Sequence, residues 1–108
     1  MRLENKVKNI VENVISKTEF TLDSMFLFGS QARGDFREGS DYDILIVLKD
    51  GIPIRERRKL AGRILSELHK EIEFIPFDMI IKCLKDFEEE KEIVNTISNE
   101  VLREGVKL

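Results

Sequence analysis

Tyr42-Asp43-Ile44-Leu45-Ile46-Val47-Leu48 is the stretch that decides the fold. It is continuously apolar after Asp43, rich in β-branched residues, and free of Gly and Pro, which reads as a buried strand. Side chains alternate along a strand, so Asp41, Asp43, Leu45 and Val47 share one face while Tyr42, Ile44, Ile46 and Leu48 share the other. Both faces are apolar beyond the aspartates, so the expectation is helices on each side of a central sheet or a sheet buried in a larger assembly.

Upstream, Met25-Phe26-Leu27-Phe28 is a short apolar run ending at Gly29, a second buried strand. Between the two, residues 30–35 read as a helical turn and residues 35–40 as a polar loop. Leu3, Val7, Ile10, Val11, Val14 and Ile15 recur at steps of three and four, so residues 3–17 read as an amphipathic helix. Downstream, Lys49-Asp50-Gly51 marks a turn, and Pro53 opens a helix with Leu60, Ala61, Ile64, Leu65 and Leu68 on one face. Glu73 to Ile81 is the third strand, and Leu84 to Leu102 is helical with Gly105 as its stop signal. The order is α-β-α-β-α-β-α, an α/β chain.

At 108 residues the chain suits one domain, residues 1–108, with no repeat or linker to divide it. Hydrophobic residues make up 42% and charged residues 36%, a globular composition with a heavily charged surface. The net charge of −3 argues against capture of a long nucleic acid, which needs clustered Lys and Arg. Cys83 has no cysteine partner, and with His69 it falls short of a zinc site. The expectation is a cytoplasmic chain with neither an export signal nor a membrane span.

Two carboxylates on one face at the mouth of an apolar strand repel each other, and a cation between them would relieve the repulsion. Mg²⁺ fits, since it takes hard oxygen ligands from one or two carboxylates, water and phosphates. Asp78 repeats the anomaly within Phe74-Ile75-Pro76-Phe77-Asp78-Met79-Ile80-Ile81, where every immediate neighbour is apolar and a buried charge would carry a desolvation cost. If the second and third strands are neighbours, Asp78 meets Asp41 and Asp43. The plainer alternative is that Asp41 starts a strand while Asp43 and Asp78 pair with Arg33 or a Lys. Gly29-Ser30 ends a strand and opens a turn, where outward N–H groups favour an anion and glycine leaves room for a phosphate. Its plainer reading is a strand-to-helix turn with Ser30 as N-cap. A Walker loop is excluded, because Gly34 is followed by Asp35-Phe36 rather than Lys and Ser or Thr.

Gly29-Ser30-Gln31-Ala32-Arg33-Gly34, ten residues from Gly-Ser to Asp41, and Ser40-Asp41-Tyr42-Asp43-Ile44 together resemble the signature of the DNA polymerase beta nucleotidyltransferase superfamily. The short chain is similar to the minimal nucleotidyltransferases, which accompany HEPN-domain toxins as antitoxins. The resemblance implies the nucleotidyltransferase fold, a small mixed central sheet with flanking helices. It also implies ATP as substrate, bound at Gly29 and Ser30 with Arg33 nearby, and two Mg²⁺ ions held by Asp41, Asp43 and Asp78. An acceptor hydroxyl, a tyrosine of the toxin, would attack the α-phosphorus and receive AMP. Two alternatives remain: a non-catalytic binding antitoxin, and transfer to a small molecule, for which no acceptor-binding domain is present. Arg55, Arg57, Arg58, Lys59 and Arg63 form a basic run that reads as a solvated helix face.

Overall fold

A computed structural model describes residues 2–29, 41–73 and 75–108. The strands are β1 (Leu22–Phe28), β2 (Tyr42–Leu48), β3 (Phe77–Cys83) and the two-residue β4 (Val106–Lys107). The helices are α1 (Leu3–Ser16), α2 (Ile54–Glu71), α3 (Leu84–Glu90) and α4 (Ile97–Glu104). The sheet runs β3-β2-β1-β4; β1 pairs antiparallel with β2 and β4, while β2 and β3 are parallel. The α/β class and the mixed sheet with flanking helices are therefore as expected. The expected helical turn at 30–35 and loop at 35–40 lie outside the described residues.

The alternation read from β2 decides the layering. Tyr42, Ile44, Ile46 and Leu48 join one core with Val7, Val11 and Val14 of α1 and Leu60, Ile64 and Leu68 of α2. Leu45 and Val47 join a second core with Phe28, Phe87 of α3 and Val101 of α4. The Phe26 ring stacks on Phe87 with centroids 5.6 Å apart, tying β1 to α3. Residues 44–48 are fully buried because both faces of β2 are covered and both its edges are paired.

Several boundaries differ from the sequence reading, the first being β1, which begins at Leu22 and not Met25. The third strand begins at Phe77 and not Glu73, since Pro76 has no N–H to give a ladder; its carbonyl instead accepts from the Tyr42 N–H at 2.8 Å. The C-terminal helix is two helices. Asn95 adopts a positive φ of 73°, and the Thr96 hydroxyl caps α4 by accepting from the Asn99 N–H at 3.0 Å. Gly105 ends α4 as expected, and beyond it Val106 and Lys107 pair with Leu27 and Phe26 as an edge strand. Among the described residues no helix is long and apolar enough to cross a membrane.

Tyr42 holds the start of β2 through its backbone bond to Pro76 and an edge-on ring contact with Phe77 at 5.5 Å. Its hydroxyl is buried without a hydrogen-bond partner among the described residues, and burial, with a smaller contribution from the Glu4 charge, pushes its pKa up to about 12. The folded chain therefore keeps this proton to higher pH than the unfolded chain, whose tyrosine ionises near the ordinary 10.0. The associated stability is complete below pH 10 and is lost as pH rises toward 12. Tyr42→Phe keeps the ring contact and removes an unsatisfied hydroxyl, so urea unfolding at pH 7 should show a gain of 0 to about 1 kcal/mol. The same substitution should flatten the loss of stability between pH 10 and 12.

Candidate active site

The parallel pairing of β2 with β3 sets Asp43 directly opposite Asp78. Residues in register on neighbouring strands project from the same face, and the strands lie about 4.8 Å apart. The expected strand adjacency is therefore present, and two carboxylates meet across it. On the other side of β2, Asp43 faces Phe28, the residue before Gly29. Both β1 and β3 thus deliver their contributions to the same end of β2.

Asp43 lies on the face of Leu45 and Val47, the face that α3 and α4 cover. Phe87 and Val101 sit over the apolar part of this face, while Asp43 is half-buried and Asp78 exposed. Asp41, two residues before Asp43 and just outside β2, is also exposed. The apolar neighbours of Asp78 suggested a costly buried charge, and that expectation is corrected. Phe77, Met79 and Ile81 pack toward α1 and α2, whereas Asp78 projects from the opposite face of the outermost strand. Its significance rests on its register with Asp43, not on desolvation. Neither Asp41 nor Asp78 forms an ion pair among the described residues.

Gly29 has a positive φ of 76°, a conformation that side chains other than glycine's rarely adopt. A Cβ built there would collide with the Asp43 carboxylate. The space expected to admit a phosphate is thus also needed by Asp43 itself. Sequence reasoning missed this contact, since nothing in a Gly-Ser pair reveals which side chain lies against it. Ser30 and Arg33 lie outside the described residues.

Among the described residues, no three His, Cys, Asp or Glu side chains are gathered into a ready metal cage. Asp43 and Asp78 instead offer hard oxygens from adjacent strands, a set that suits Mg²⁺, which commonly completes its shell with water and substrate phosphates.

A nucleotidyltransferase domain model matches residues 7–107. The chain belongs to that family. Over its full length, and that of the relative, this nucleotidyltransferase is 29% identical to "Putative protein adenylyltransferase MJ0141" of Methanocaldococcus jannaschii. It shares its fold with a crystal structure of a toxin-antitoxin with AMP-PNP, at a TM-score of 0.62 and 22% identity, covering 98% of this chain and 72% of the other. A second structure, a tri-AMPylated Shewanella oneidensis HEPN toxin in complex with MNT antitoxin, aligns at a TM-score of 0.55 and 22% identity, covering 96% and 66%.

Gly29→Ala should damage the site more than the fold. The added methyl meets the Asp43 carboxylate and imposes a strained φ, which costs about 1 kcal/mol or more of stability. Nucleotidyl transfer should fall at least about tenfold through displacement of Asp43, since an error of about 1 Å in a reacting group can cost a hundredfold. Parallel thermal unfolding and single-turnover assays would separate the two effects.

Proposed function

We propose that this nucleotidyltransferase transfers AMP from ATP to a tyrosine hydroxyl of a HEPN-domain toxin and so acts as its antitoxin. The observation that carries the proposal is the register of Asp43 with Asp78 beside Gly29. Support for a protein acceptor comes from the adenylyltransferase name of the M. jannaschii relative, and support for the partner from the AMPylated HEPN toxin bound to an MNT antitoxin. The AMP-PNP in a structural neighbour supports ATP as the donor.

In this proposal the triphosphate lies along Gly29 and Ser30, where backbone N–H groups and the Ser30 hydroxyl donate to phosphate oxygens. Arg33 supplies a further cation to the same group. Asp41, Asp43 and Asp78 would hold two Mg²⁺ ions, which when bound neutralise phosphate charge and favour ionisation of the acceptor hydroxyl. Asp78, exposed on the outermost strand, can be reached by an acceptor from a second protein and takes the hydroxyl proton. The acceptor oxygen then forms its bond to the α-phosphorus as the bond to the bridging oxygen breaks, and pyrophosphate leaves in line. Half-burial and the Gly29 contact hold Asp43 in one orientation throughout.

Incubation with labelled ATP, Mg²⁺ and the cognate HEPN protein should add AMP to a tyrosine of that protein, read by intact mass and peptide mapping. Asp41→Asn with Asp43→Asn should reduce transfer by about a hundredfold or more with the fold retained, because charge stabilisation at the reacting phosphate is lost. Undiminished labelling by the double variant would remove these aspartates from the mechanism. Neutralisation of the toxin without any labelling would make contact alone the antitoxin activity.

A further inference from the structure

On the far side of the sheet from the aspartates, α1 and α2 line a half-open cleft of about 520 Å³. Such a volume falls within the range of small-molecule sites. Three cations line it: Lys17 at the end of α1, and Lys59 and Arg63 on α2. None of the three has an ion-pair partner among the described residues. Glu67, the one acidic residue of the lining, is engaged with Lys70 at 3.3 Å. Asn13 and Ser66 add neutral hydrogen-bonding side chains, while Val14 and Gly62 supply apolar surface.

Gly62 is the second, independent observation. It stands in the middle of α2, where glycine is the least favourable residue after proline. No atom lies within 4 Å of the place its Cβ would occupy, so neither helix packing nor a positive φ requires glycine there. A glycine that no protein contact demands, opening into a cationic cavity, fits close approach of a ligand to the helix backbone. The surrounding charge has the matching sign. Residues 54–71 carry six Lys and Arg against three Glu, in a chain whose total is −3.

We propose that this cleft binds a small ligand bearing several phosphates, with Lys17, Lys59 and Arg63 on the phosphate oxygens and the Gly62 backbone against its body. The site is separate from the reacting centre, because α1 and α2 pack on the face of β2 opposite Asp43. It stands independently of the AMP-transfer proposal. A recessed cleft between two helices favours a small molecule over a flat contact with an acidic protein, and three cations along its lining match a triphosphate better than a single carboxylate.

Titration of the full chain with tripolyphosphate in EDTA, which withholds metal from the aspartates, tests the site calorimetrically and by amide shifts in NMR. One saturable site is expected, with shifts concentrated at Lys17 and residues 59–67. Lys59→Ala with Arg63→Ala, both exposed positions, should weaken binding by at least about tenfold, the loss expected for charge-assisted contacts. Gly62→Leu should abolish binding while raising the melting temperature, a pairing that unfolding cannot produce. Ser30→Ala should leave this binding unchanged. The proposal is overturned if no saturable binding is seen, if the shifts centre on Gly29 instead, if the cationic variants bind as well as the parent, or if a polyglutamate peptide displaces tripolyphosphate at lower concentration.

Discussion

The parallel pairing of β2 with β3 governs whether the candidate active site exists at all. Side chains alternate along a strand, so sliding β3 by one residue would carry Asp78 to the opposite face and bring Phe77 or Met79 opposite Asp43. The burial of alternate residues resists such a slip: Tyr42, Ile44 and Ile46 must remain with Phe77, Met79 and Ile81 in the core beneath α1 and α2. The Tyr42 N–H bond to the Pro76 carbonyl fixes the first rung. Two carboxylates that gain nothing by lying side by side are thus held together by apolar residues that gain a good deal, each fully buried side chain contributing about 1.5–3 kcal/mol.

The same logic explains why Asp43 is the most constrained of the three aspartates. It belongs to a strand paired on both edges, lies between Phe28 and Asp78, and has the Gly29 backbone against its carboxylate. Asp78 comes from the outermost strand and Asp41 from just outside β2, so both are open to solvent and to an incoming partner. The gradient from fixed to open is appropriate to proposed roles in which one carboxylate stays with the nucleotide and another must meet an acceptor arriving from outside.

Much of this was legible because it follows from local periodicity. The alternation of β2 foretold which residues share each of its faces, and its two apolar faces foretold helices on both sides of the sheet. Asp78 was found for an incomplete reason. Apolar neighbours in sequence suggested burial, but on an edge strand those neighbours turn to the other face and leave the charge in water. The break in the C-terminal helix was written in Thr96, a good N-cap with the Asn99 N–H three residues on, yet the apolar stripe across residues 93–102 concealed it. The edge pairing of Val106 and Lys107 had no local signal, since two residues are too few to show a period.

Lys17 and the basic residues of α2 illustrate the remaining kind of illegibility. Along the chain Lys17 is one more charge at a helix end, and Lys59 and Arg63 belong to a run that reads as a solvated face. Only the packing of α1 beside α2 brings them to one cavity, and neither helix period encodes that meeting. What the sequence did contain was Gly62, an unfavourable residue in an otherwise strongly helical stretch. A local choice that conflicts with its secondary structure calls for a reason at another level, in packing, backbone conformation or ligand contact. At Gly29 the reason is conformation and the Asp43 carboxylate; at Gly62 neither packing nor a positive φ applies, and the proposed ligand contact in the cleft would supply one.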